Sequence, residues 1–274
     1  MDPLESIVLG LVQGLTEYLP ISSTAHLRVV PALVGWQDPG AAFSAVVQLG
    51  TLLAVLVYFF GDLWQLATAF VMGLARGKPF DDAKSRMAWI ILFGTIPVGV
   101  IGLAFKDAIE TKMRSLWVVA GALVVLALVL WVAEKAGKRY LKMTQMGWKG
   151  GLLIGMAQAL ALIPGASRSG VTITAGLFVG LTREDAARFS FLLGVPAIAA
   201  SGLYELWSLA KTSPHGVPWV SVGLGTVVAA VSGYFAIAFL IKFLQRHSTA
   251  VFIGYRIILG IAITVLIYAG YLIP

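Results

Sequence analysis

Cysteine is absent from the 274 residues, which excludes a disulfide framework and thiolate chemistry and leaves the redox compartment open. Charge is scarce as well. Asp, Glu, Lys and Arg together make up 12% of the chain, about half the share found in a soluble domain. With 59% hydrophobic residues and a mean hydropathy of +0.89, the composition excludes a soluble globular domain and gives an integral membrane protein. The N-terminus lacks the Lys or Arg of a signal peptide. It carries Asp2 and Glu5 instead, so this segment is expected to stay on the mature chain. Basic residues exceed acidic ones, 20 to 13. Most of them lie in short loops, where membrane orientation rather than nucleic acid explains them, and no nucleic-acid partner is expected. No ring of repeated charges is present, which speaks against a channel.

A helix needs about 20 apolar residues to cross a bilayer core of roughly 30 Å. Six stretches meet this, 41–61, 87–105, 115–133, 189–210, 218–243 and 250–272, with 62–86 read as a loop. Two regions do not. Residues 6–19 stop at Pro20 and resume over 22–35, and residues 148–163 stop at Pro164 and resume over 168–181. Each piece is only 14 to 16 residues long, and broken helices at membrane depth survive only inside protein or beside a wet cavity. Both regions are therefore expected to be re-entrant helical hairpins.

The two regions repeat one another. Gly10-x-x-Gln13 with Ser22 nine residues on matches Gly155-x-x-Gln158 with Ser167, at an offset of 145, and Phe43-Ser44 recurs as Phe189-Ser190. The expected fold is thus an all-α polytopic membrane protein in one domain, with repeats over about 1–135 and 146–274. Each half is a hairpin plus three transmembrane helices. Three is odd, so the second half enters the membrane inverted relative to the first. Placing 62–86 in the cytoplasm puts thirteen Lys and Arg on that side against four on the other, the bias membrane insertion favours. The first hairpin then opens outward and the second inward.

Polar groups placed in apolar stretches mark a working site. Gln13 and Glu17 are four apart and share one helix face. Ser22-Ser23-Thr24 suits the N-cap of the returning half-helix. His26 follows Ser22 by four and Ser23 by three, which predicts an imidazole–hydroxyl contact, the minimum for covalent catalysis. In the second region Gly165 allows close backbone approach, and Ser167-Arg168-Ser169 opens a half-helix whose N–H groups favour an anion. Arg168 adds a planar fork for phosphate oxygens. Duller roles compete. Thr24 and Thr172 also suit the satisfaction of carbonyls freed by proline, Glu17 suits a structural pair with arginine, and Arg28 and Arg256 suit snorkelling or structural pairing. The same architecture suits a transporter or flippase of a phosphate-bearing prenyl lipid.

Gln13-x-x-x-Glu17, Pro20-x-Ser-Ser-Thr-x-His26 and Pro164-Gly-x-Ser-Arg-Ser-Gly170 resemble the signature motifs of the bacterial undecaprenyl pyrophosphate phosphatase family, the bacitracin-resistance proteins. The resemblance covers nearly the whole chain. It implies removal of the terminal phosphate from undecaprenyl pyrophosphate at the outer face of the cytoplasmic membrane, aided by a divalent cation, Mg²⁺ or Ca²⁺. It implies catalytic roles for Glu17, Ser23, His26 and Arg168, with Glu17 also the metal ligand. Gln13, Ser22, Thr24, Gly165, Ser167, Ser169 and Thr172 are the expected substrate contacts. Ser23 with His26 as proton partner and His26 as the attacking group both remain open, and a homodimer is compatible. The neutral Gln13 departs from members with a carboxylate there, which disfavours a metal held by two carboxylates.

Overall fold

The computed structural model describes residues 2–38, 40–212 and 219–273; residue 218, the first of one predicted span, lies outside them. Among the described residues the chain is all-helical, apart from a single bridge between Leu141 and Leu181. The first half comprises α1 (Pro3–Glu17), α2 (Ser23–Val34), α3 (Gly40–Tyr58), α4 (Phe60–Ala75), α5 (Ala83–Ala104), α6 (Lys106–Glu110) and α7 (Leu116–Ala136). The second comprises α8 (Trp148–Gln158), α9 (Arg168–Val179), α10 (Arg183–Thr212), α11 (Trp219–Leu244) and α12 (Ala250–Tyr268).

Five helices, α5, α7, α10, α11 and α12, are long and apolar enough to cross a membrane, and α3 with α4 supplies a sixth if that bent pair is one span. Leu103, Val227, Phe235 and Ile258 are among the many large apolar side chains left exposed. Water would not tolerate this band, whereas lipid tails do. The chain is a multi-pass membrane protein.

The expected straight span over 41–61 is corrected. Helix α3 ends at Tyr58 and the chain turns by 80° into α4, so much of the predicted 62–86 loop is helix. Gly61, Asp62 and Gln65 dilute the apolar run, but no proline interrupts it, and Asp62 favours a first helical turn. At the chain start Asp2 and Glu5 form a capping box, with Pro3 opening the helix.

The two interrupted regions match in detail. Ser22 and Ser167 both adopt positive φ, 74° and 68°, a conformation unfavourable for a side-chain-bearing residue. Each hydroxyl accepts the N–H three residues on, of Ala25 and of Gly170, and so caps α2 and α9. Each also hydrogen-bonds the hydroxyl two residues on, of Thr24 at 3.0 Å and of Ser169 at 3.1 Å. Both returning helices end on left-handed glycines, Gly35 and Gly180. Helix α1 crosses α11 where Gly10 lies on Gly225, and α8 crosses α5 where Gly155 lies on Gly94. A Cβ at either position would strike backbone, so these crossings require glycine.

Side-chain contacts group the connections at two ends. Glu134 binds Arg139, Arg183 and Thr249, Asp62 binds Arg188, and Phe80 packs on Trp148. That end gathers the basic loops. At the other, Asp38 binds Arg114, Lys106 binds Glu205, and Trp117 packs on Tyr268.

Candidate functional site

The interruption after α1 and the one before α9 meet inside the bundle. Thr24 Oγ1 accepts the Gly165 N–H at 3.2 Å. Ser169 Oγ donates to the Leu19 carbonyl at 3.0 Å, satisfying an acceptor that the Pro20 break leaves without a helical partner. Arg256, on α12 and fully buried, donates to the main-chain carbonyls of Pro20, Ala122, Leu123, Gly165 and Ala166 at 3.0–3.5 Å. Gly170 carries no side chain to obstruct its guanidinium. One residue thereby staples both breaks and α7. Arg256→Met would take this donor from the carbonyls of Pro20, Gly165 and Ala166 at the two breaks, at a cost on the order of 3 kcal/mol. The expected result is a clearly lowered melting temperature in detergent, with Arg256→Lys intermediate.

Glu17 is the hub. It is 4% exposed and each carboxylate oxygen accepts two hydrogen bonds. Oε2 takes the Gln13 amide at 2.8 Å and the Ser23 hydroxyl at 2.7 Å. Oε1 takes the Gln48 amide at 2.8 Å and Arg168 Nη2 at 3.0 Å. The acidic partner of Arg168 that no local sequence supplies therefore comes from 151 residues away. The other two guanidinium nitrogens of Arg168, Nε and Nη1, are buried and have no hydrogen-bond partner among the described residues. A buried cationic N–H without an acceptor is expensive, and an anion from outside the chain would satisfy both.

The predicted contact between His26 and a serine hydroxyl is not formed. His26 Nδ1 lies 2.7 Å from the Ser22 carbonyl, and Nε2 lies 2.6 Å from the Tyr255 hydroxyl. A carbonyl only accepts, so Nδ1 carries the proton and Nε2 accepts from Tyr255. Helical spacing put the two groups on neighbouring faces, but the Ser22 carbonyl, which also takes the His26 main-chain N–H, holds the imidazole instead. The Ser23 hydroxyl goes instead to Glu17. Thr172 is tied to its own helix and to α10. Its hydroxyl donates to the Arg168 carbonyl and pairs with Ser190 at 2.6 Å, which makes it a packing contact between α9 and α10. Ser22, Ser167 and Ser169 act first as caps and ties for the two breaks, and Gly165 packs its backbone against Val119. Arg28 pairs with Asp38 at 3.0 Å.

Gln48 and Tyr255 were not singled out by sequence. A lone glutamine within the apolar Val46-Val47-Gln48-Leu49 run was the available signal for the first. Nothing marked the second, whose ring also stacks on His26 with centroids 5.6 Å apart. Gly194 on α10 is a third addition. A side chain there would occupy the space of the Arg168 guanidinium. Gly194→Ala is expected to displace Arg168 and lower any phosphate-dependent activity about a hundredfold, with little change in helix content by circular dichroism.

The arrangement sets a serine against a carboxylate that can take its proton as it attacks, beside a guanidinium with two nitrogens lacking acceptors among the described residues. Among the described residues no group of three or more His, Cys, Asp and Glu gathers as a metal cluster, so any cation here would rest on one carboxylate and neutral oxygens. The sequence profile described as bacitracin resistance protein BacA matches residues 6–262. The chain is 56% identical to the undecaprenyl-diphosphatase of Myxococcus xanthus, over all of this chain and 92% of that protein. It is 54% identical to the undecaprenyl-diphosphatase of Chlorobium phaeobacteroides and 50% identical to that of Chlorobaculum tepidum, each over the full length of both chains.

Proposed function

We propose that this chain, which belongs to the bacitracin resistance protein BacA family, is an undecaprenyl-diphosphatase. It removes the terminal phosphate of undecaprenyl pyrophosphate and returns the monophosphate carrier to cell-wall synthesis. The carrying observation is the buried Ser23–Glu17–Arg168 constellation, a nucleophile on a base beside a guanidinium with two N–H-bearing nitrogens to spare. Binding alone has no use for the serine–carboxylate pair.

In this reading Arg168 grips the terminal phosphate and neutralises charge as it is transferred. Ser23 Oγ attacks the phosphorus, its proton passes to Glu17 Oε2, and undecaprenyl phosphate leaves. Water then cleaves the phosphoserine to inorganic phosphate and restores the hydroxyl. His26, held by the Ser22 carbonyl and Tyr255, shapes the pocket and offers Nε2 only if Tyr255 releases it. A divalent cation, Mg²⁺ or Ca²⁺, would be held here by Glu17 and the Gln13 carbonyl, the hard oxygen donors such ions prefer. When bound it would spread the charge of the diphosphate.

We place the chain in the bacterial cytoplasmic membrane with the basic end inward. The reading of two oppositely inserted halves is supported by the matched caps at Ser22 and Ser167. It is also supported by the ends at which the interrupted regions tie in: Asp38 with Arg114, beyond α2, at one end, and Leu141 with Leu181, beyond α9, at the other. The first hairpin then opens outward, towards the diphosphate.

The test is phosphate release from undecaprenyl pyrophosphate by purified protein, with and without Mg²⁺ or Ca²⁺. Ser23→Ala is expected to lower release at least a hundredfold while the protein stays folded. Lipid binding by the wild-type protein without any release would turn the reading to a carrier.

A further inference from the structure

Two arginines outside the reaction site share one carboxylate. Arg114 Nη2 lies 2.9 and 2.7 Å from the two oxygens of Asp38, and Arg28 Nη1 adds a contact at 3.0 Å. Burial alone would raise the Asp38 carboxyl. The Arg114 hydrogen bonds, the Gly40 N–H and the charges of both arginines instead hold it below its ordinary value. The cluster is thus two cations on one anion. Arg28 is the surplus member, since its Nε is buried with no hydrogen-bond partner among the described residues. Its placement is costly too, between Leu27 and Val29 in an apolar helix.

The position is informative. Arg28 follows Thr24 by four residues, so both lie on one face of α2, about 6 Å apart along the axis. Thr24 is exposed and touches Gly165, where the two breaks meet. Leu116, two residues beyond Arg114, is buried in one cluster with Ala25 and Val29 of α2. Arg28 therefore stands one helical turn beyond Thr24, and Arg114 meets it at Asp38. Their side chains are 23% and 22% exposed, enough for a small anion to reach them.

We propose that Arg28 and Arg114 form a second phosphate site, separate from Arg168, which receives inorganic phosphate on its way out. This rests on the hydrolase reading. Guanidinium groups suit it because their planar N–H sets match phosphate oxygens, and a site holding one carboxylate against two cations binds weakly enough to let the product go.

The probe is inorganic phosphate, titrated into purified protein in detergent and followed by phosphorus NMR line broadening. Arg168→Ala serves as the background, to remove binding at the reaction site. Phosphate binding should persist in that background, weaken about tenfold with Arg28→Met or Arg114→Met added, and tighten with Asp38→Asn. In the otherwise unaltered enzyme, Arg28→Met should make hydrolysis less sensitive to added phosphate. The proposal is overturned if Arg168→Ala abolishes all phosphate binding. It is equally overturned if both arginine variants, folded by their melting curves, bind like their parent, or if Asp38→Asn loosens binding. Lipid hydrolysis by the unaltered protein is measured in parallel. Its absence, with phosphate still held at Arg28, would sink the hydrolase reading and leave the anion site standing.

Discussion

Glu17→Gln is expected to lower phosphate release from undecaprenyl pyrophosphate by about three orders of magnitude, within the range general base catalysis supplies. The change is nearly isosteric, so α1 should stay in place. Its chemistry is not conservative, because Glu17 receives four donors and makes none. An amide offers one acceptor oxygen and turns an NH₂ group towards two of those donors. If the nitrogen faces Ser23, the serine loses its proton acceptor. If it faces Arg168, a buried guanidinium loses its counter-ion and meets a donor. Either flip breaks one of the two contacts on which the proposed reaction depends. The measurement is single-turnover release at saturating lipid, so that weaker binding is not mistaken for slower chemistry. Release within tenfold of wild type would exclude Glu17 as the base and revive His26 as the proton partner.

The same residue shows how far the sequence could be read. Glu17 and Arg168 stood out singly because each is an ionisable group in an apolar stretch. Nothing local in either segment announces a contact across 151 positions. The breaks at Pro20 and Pro164 were legible because proline removes a donor and clashes with the preceding turn. The serine caps were legible because a half-helix needs them. Helix α4 was not, since Gly61, Asp62 and Gln65 made a helical stretch look like a loop, and only packing against α5 reveals it. The misplaced His26 contact has a similar cause. Periodicity fixes which face a side chain occupies, but the Ser22 carbonyl, which also accepts the His26 main-chain N–H, decided where the imidazole went. For Arg256 the sequence offered snorkelling or a structural pairing, without the partner. Its role became visible when five carbonyls from three segments converged on it.

Arg168→Lys is expected to reduce turnover on the order of a thousandfold, and the reason lies in donor geometry rather than charge. Lysine keeps the positive charge near Glu17, so the ion pair that holds α9 against α1 can re-form and the fold should persist. It cannot present several N–H groups in a plane, and a charge-assisted hydrogen bond contributes roughly 1.5–3 kcal/mol. Two such bonds lost from the transferring phosphoryl group give an effect of this size, at about 1.4 kcal/mol per tenfold. The loss should fall mainly on the rate at saturation, since charge accumulates on the phosphate oxygens as the bond to the leaving group breaks. Arg168→Ala separates the two roles further: it removes both the fork and the counter-ion, and should lose stability as well as rate. If Arg168→Lys turned over nearly as fast as wild type while Arg168→Ala failed, Arg168 would be a counter-ion for Glu17. The two nitrogens left without acceptors would then have no part in the reaction.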